Sequence, residues 1–191
     1  MVTRCDWAET NTLMQDYHDH EWGKPSYKDD KLYELLVLES MQAGLSWSTI
    51  LNKRENFRVA FDQFDYKKIA HYDENKIEEL LANPQIIRNR LKIRAAVNNA
   101  QKFLQVQENY GSFAAYIWSF VADQPIINRW QTFKEVPAST DLSKQISKEL
   151  KNLGFKFVGP TIIYSFMQAI GMVNDHLEDC SFKYEKTQSN K

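Results

Sequence analysis

Apolar residues recur along this chain at intervals of three and four far more often than two, so the elements it predicts are helices. Leu32, Leu35 and Leu36 share one stripe of a helix expected over Leu32 to Met41, and Glu39 falls on that stripe at i+7. Gly44 stops this helix and Ser46 can cap the next, while Asp65 and Asp73 are placed to cap two more. Asn83-Pro84 breaks the pattern before a long helix from Ile86 to about Val106; Gly111 follows it, and Ser112 can cap a short aromatic helix through Phe120. Between about Ala122 and Thr140 the period fades around Pro125 and Pro137, which predicts an irregular connection. Helix returns over Asp141 to Leu153, stops at Gly154 and restarts after Gly159-Pro160. The expectation is an all-α fold: one compact helical domain over residues 1–182 and a flexible tail over 183–191.

Composition narrows the function classes. A 191-residue chain that is 43% hydrophobic can close its own core. Its net charge of -1 gives no general attraction to nucleic acid, so any such binding must rest on local patches. Arg88, Arg90, Lys92 and Arg94 form one, either a solvated helix face or a phosphate contact surface. The apolar runs are too short to span a membrane, and the N-terminus has no apolar signal segment, which predicts a cytoplasmic protein and no membrane partner. Two cysteines, at 5 and 180, make no disulfide framework and would be thiols or metal ligands in a reducing compartment. Aromatic residues, 13% of the chain, fit either a rich core or a surface that stacks flat rings.

Four groups carry candidate chemistry. Glu39 would place a carboxylate among leucines, where an unpaired charge is costly, so it marks a functional site unless it lies at the helix margin. Residues Gly154-Phe155-Lys156-Phe157-Val158-Gly159 join two helices by a turn whose backbone N–H groups, with Lys156, could hold a phosphate oxygen; an ordinary helical hairpin explains them too. His176 and Cys180 are i, i+4, and would project from one face if their segment is helical; Cys5 and His18 could complete a tetrahedral zinc set. Gln42-Ala43-Gly44-Leu45-Ser46-Trp47 puts a leucine and an indole on a turn, where an apolar side chain can wedge DNA or simply dock on the core.

Taken jointly, Arg4-Cys5-x-Trp7, Tyr17-His18-Asp19-x-Glu21-Trp22-Gly23, Leu38-Glu39, Gln42 to Trp47, Gly154 to Gly159 and Asn174-Asp175-His176 resemble 3-methyladenine DNA glycosylase I, a helix-hairpin-helix family, from Cys5 to Cys180. The resemblance implies a monomeric enzyme of base excision repair that flips 3-methyladenine out of double-stranded alkylated DNA and releases it by hydrolysing the N-glycosidic bond. It implies that Glu39 hydrogen-bonds the base, that Tyr17, Trp47 and Trp7 wall its slot, and that Cys5, His18, His176 and Cys180 bind one structural Zn2+. It further implies that Gln42, Gly44 and Leu45 enter the gap in the duplex and that Gly154, Phe155, Lys156, Phe157, Val158 and Gly159 contact the DNA backbone. Met14 stands where some members carry an aromatic. Asp175, beside a zinc ligand, is expected to cap or orient and to have no catalytic role. Three other readings stay open: a non-catalytic DNA-holding module, a glycosylase for a different alkylated purine, and a zinc-stabilised helical protein with no DNA role, which would leave Glu39 unexplained.

Overall fold

The computed structural model of the protein describes residues 2–184. Among them, nine α-helices account for most of the chain: α1 (Thr12–His20), α2 (Asp29–Gln42), α3 (Trp47–Ala60), α4 (Tyr66–Ile69), α5 (Glu74–Ala82), α6 (Arg90–Tyr110), α7 (Phe113–Ser119), α8 (Asp141–Asn152) and α9 (Pro160–Ala169). The expected caps do their work. Side chains of Ser46, Asp65, Asp73 and Ser112 each accept a hydrogen bond from a backbone N–H in the first turn of the helix that follows.

α2 is the central element. It packs against α3, α6, α7 and α9, and Leu32, Leu35, Leu36, Val37, Leu38 and Met41 are all buried. A helix apolar on nearly every side belongs inside, which is why its one acid near the end is forced into the interior. None of the described helices is long and apolar enough to cross a membrane.

The structure refines the sequence reading in four places. α6 begins at Arg90, not at 86, because the Asn89 side chain accepts from the Lys92 amide and holds residue 89 extended. The irregular connection contains a two-residue strand, Ile126–Ile127, paired in parallel with Val173–Asn174. Because of that pairing, the segment carrying His176 and Cys180 is a strand followed by turns, so their i, i+4 spacing is not helical. Residues 183 and 184 of the expected tail are held: Lys183 Nζ donates to the carbonyls of Asn128 and His176, and the Tyr184 carbonyl accepts from Asn174. The remainder, 185–191, lies outside the described residues.

Candidate active site and metal centre

Glu39 lies in the last turn of α2 and is 4% exposed. Its Oε2 is buried and has no hydrogen-bond partner among the described residues. Burial pushes its carboxyl up to about 8. The side chain lines a cavity of about 250 Å3 whose other walls are Trp7, Met14, Tyr17, Trp22, Trp47 and Phe133, with Gln42, Ser165 and Gln168 adding polar groups.

Different elements bring the rings together. A short 3-10 turn, Asp6–Thr10, carries Trp7; α1 presents Met14 and Tyr17 one turn apart; Trp47 is the first residue of α3. Tyr17 and Trp47 have ring centroids 5.2 Å apart, and Trp7 meets Trp22 edge-on at 5.0 Å. The indole N–H groups of Trp7 and Trp47 are also buried without a partner. The cavity therefore offers one ionisable acceptor and two donors inside an aromatic frame. Polar groups left in that state cost free energy unless a ligand meets them. Burial, with the nearby Glu39 and Glu21 carboxylates adding to it, holds the Tyr17 hydroxyl well above its ordinary range, so it remains a neutral phenol.

Beside this cavity stands a second cluster. One ligand atom from each of Cys5, His18, His176 and Cys180 lies within 4.8 Å of all the others, and the four residues are buried. Cys180 Sγ is 3.3 Å from His176 Nδ1 and 3.6 Å from His18 Nε2, and Cys5 Sγ is 3.9 Å from His176 Nδ1. Tetrahedral zinc with ordinary Zn–S and Zn–N lengths would set such edges at about 3.6 Å. The outer ring nitrogens are held as well: His18 Nδ1 is 2.8 Å from Asp19 Oδ1, and His176 Nε2 is 3.0 Å from the Trp22 carbonyl. Arg4 in turn grips Asp19 with Nε and Nη2. Fixing each imidazole by its other nitrogen is how proteins orient metal-binding histidines. The donor set and its supports thus fit a four-coordinate metal. The cluster also ties the ends of the chain, reinforced by paired hydrogen bonds between Thr3 and Ser181.

The two candidate DNA segments fall on neighbouring turns. Leu45 is 41% exposed at the tip of the turn between α2 and α3, and Gly44 there takes φ +79°, a conformation that favours glycine. The hairpin between α8 and α9 is held from within by side chains. Asn99 accepts from the Lys156 amide and donates to the Lys156 carbonyl, Asn98 donates to Gly154, and Ser147 to Val158. Amides of Gly154 and Phe155 are bound to Lys151 and Leu150, and the side chains of Phe155 and Val158 are core. Among the described residues the backbone N–H groups of Phe157, Val158, Gly159, Thr161 and Ile162 donate no hydrogen bond, and a Cβ on Gly159 would meet nothing within 4 Å.

The basic run resolves differently from its appearance. Arg90 pairs with Glu78 and Arg94 with Glu74, joining α6 to α5, while Lys92 turns inward. Of these four, Arg88 is exposed and makes no ion pair among the described residues.

Sequence reasoning missed Trp22, Phe133, Ser165 and Gln168 as cavity residues. Trp22 sat within a quoted motif, but Phe133 comes from the aperiodic connection, where no spacing signals a wall. Asp175 lies behind Gln168 and accepts from Asn128, Trp130, Tyr164 and Gln168, so it organises that wall and caps no helix.

A family model for methyladenine glycosylase matches residues 7–184. The DNA-3-methyladenine glycosylase 1 of Escherichia coli (strain K12) is 49% identical over 179 residues, 94% of this chain and 96% of that protein. A crystal structure of 3-methyladenine DNA glycosylase I superposes with a TM-score of 0.91 at 50% identity, covering 94% of this chain and 98% of the other. A tyrosine-to-phenylalanine variant of 3-methyladenine DNA glycosylase I, solved in complex with 3-methyladenine, gives 0.92 at 38% identity, covering 95% and 98%. The chain belongs to the methyladenine glycosylase family, hydrolases that act on N-glycosidic bonds.

Proposed function

We propose that the cavity at Glu39 receives a 3-methyladenine base rotated out of double-stranded alkylated DNA, and that the chain releases this base by hydrolysis, leaving an abasic site. The observation that carries the reading is the Glu39 carboxylate, buried among aromatic rings with no partner of its own. Methylation at N3 makes adenine in DNA cationic and a good leaving group, so selecting it is harder than expelling it. A carboxylate that can accept from the exocyclic amine and oppose the positive charge suits that task. Rings of Tyr17 and Trp47 favour a cationic base over neutral adenine by roughly 1–2 kcal/mol in a desolvated slot. The free indole N–H of Trp7 and that of Trp47 can donate to ring nitrogens of the base. Met14 leaves one wall aliphatic.

The same reading gives Cys5, His18, His176 and Cys180 one structural Zn2+. When bound, the ion would supply a cross-link between the chain ends, and four protein ligands would close its tetrahedral shell. Gln42, Gly44 and Leu45 fill the space vacated in the duplex, and the unpaired amides of Phe157, Gly159 and Thr161, with Lys156 in the same turn, hold backbone phosphate. Gly154, Phe155 and Val158 shape that hairpin from behind. The enzyme acts as a monomer in the bacterial cytoplasm, on the nucleoid.

The test is incubation with methylated genomic DNA and identification of the purines set free. Release of 3-methyladenine by the wild type, and its loss in Glu39→Gln, is the expected result. Release of another alkylated purine instead would reassign the substrate, and salt-sensitive DNA binding with no released base would make the chain a holding module.

A further inference from the structure

Lys92 sits on α6 and is buried, an uncommon place for an ammonium group. Its Nζ is 2.8 Å from the Met41 carbonyl and 2.6 Å from the Ala43 carbonyl, in the last turn of α2 and at the first residue of the turn that carries Gly44 and Leu45. A helix leaves its last carbonyls unsatisfied and its C-terminus partly negative; a lysine from another helix answers both needs at once. Burial lowers the Lys92 ammonium below its usual range, so the arrangement costs solvation that the two short bonds must offset. No acid pairs with it among the described residues, in contrast to Arg90 and Arg94 on either side.

Besides Lys92 the turn is held by bonds local to it, so Lys92 is its tie to another helix. Ala43 at φ -48°, ψ 115° and Gly44 at φ +79° form a type II turn that the Leu45 amide closes by donating to the Gln42 carbonyl at 2.6 Å, and a Cβ on Gly44 would touch nothing within 4 Å. On the upstream side Ser40 Oγ donates to the Phe157 carbonyl, which joins the end of α2 to the α8–α9 hairpin. From these contacts we infer that Lys92 is a positioning residue for DNA opening: through the Met41 and Ala43 carbonyls it braces the Leu45 turn so that the leucine resists being pushed back by the base pair it displaces. The inference rests on the reading of Leu45 as the wedge, and it separates two functions that share α2. Glu39 reads the base; Lys92 stiffens the tool that extrudes it.

The test uses Lys92→Met, which keeps the stem and removes the charge and donors, with Lys92→Arg as the conservative variant and Leu45→Ala as the control on the wedge. Single-turnover release of 3-methyladenine is measured from a duplex with the lesion paired to thymine and from one with the lesion opposite an abasic gap, where flipping is easy. Binding of free 3-methyladenine is followed by tryptophan fluorescence. Expected for Lys92→Met is at least a tenfold loss on the paired duplex, less than threefold at the gap, unchanged free-base binding, and partial recovery in Lys92→Arg. Equal losses on both duplexes, or no loss on either, would overturn the inference while Leu45→Ala still shows the paired-duplex defect. If Leu45→Ala shows none, the wedge reading itself fails and the role of Lys92 falls with it.

Discussion

Of the buried carboxylates among the described residues, Glu39 and Asp175 live in opposite surroundings. Asp175 is fully enclosed and accepts hydrogen bonds from four neutral donors, Asn128, Trp130, Tyr164 and Gln168. Glu39 is nearly as enclosed, yet Oε2 meets nothing, and the cavity in front of it also holds two idle indole donors. Burial alone thus says little about role. A satisfied acid is a joint in the framework, whereas an unsatisfied one costs stability and persists where something else completes it.

That contrast can be broken first at Glu39. Glu39→Gln keeps the shape but removes the charge, and steady-state release of 3-methyladenine should fall at least 100-fold. The same change should raise the melting temperature at pH 8. Its sign follows from the shift: the folded value of about 8 lies above the ordinary 4.5, so the native state holds a proton that the unfolded chain gives up between those limits. Wild-type stability should therefore decline as pH rises from 4.5 to 8, and denaturant titrations of Glu39→Gln should lack that slope. Asp175→Ala should do the reverse, costing roughly 3–5 kcal/mol by urea unfolding because four donors lose their acceptor, while activity per folded molecule falls less than tenfold.

Metal removal sharpens the comparison from the side of the framework. Stripping the ion with a strong chelator, or Cys180→Ser, should lower the calorimetric melting temperature by about 10 °C or more; a metal-free protein that melts unchanged would remove the clamp. Trp47→Leu should weaken release by about tenfold through loss of the ring face, read from kcat/KM. The smallest effect belongs to Arg90→Ala with Arg94→Ala. Both are exposed pairs to α5, so neither change should shift the midpoint of chemical denaturation measurably.

Much of this was visible in the order of residues. Helix spacing and the caps at Ser46, Asp65, Asp73 and Ser112 placed most elements, because each signal is local. The stripe shared by Leu32, Leu35, Leu36 and Glu39 put the acid inside, and the motif resemblance joined it to Trp7, Tyr17 and Trp47. What stayed hidden depends on pairings between distant segments. The bond between Ile126–Ile127 and Val173–Asn174 is two residues long, too short to show a period, yet it is what turns His176 and Cys180 toward Cys5 without a helix. Lys92 looked like one member of a basic patch, since nothing in its neighbours reveals that its ammonium reaches the carbonyls at the end of α2. The hairpin likewise seemed uniform from Gly154 to Gly159, although the amides of Gly154, Phe155 and Lys156 are already bonded and only those after Lys156 are without a partner among the described residues.

The most direct measurement is the titration of the Glu39 carboxyl by carbon NMR, in the free protein and with 3-methyladenine bound. An unpartnered acid that waits for a base should titrate near 8 when free and at least one pH unit lower once the base is in place. A midpoint near 4.5 that ignores added 3-methyladenine would show that Glu39 is neither isolated nor the group that recognises the base.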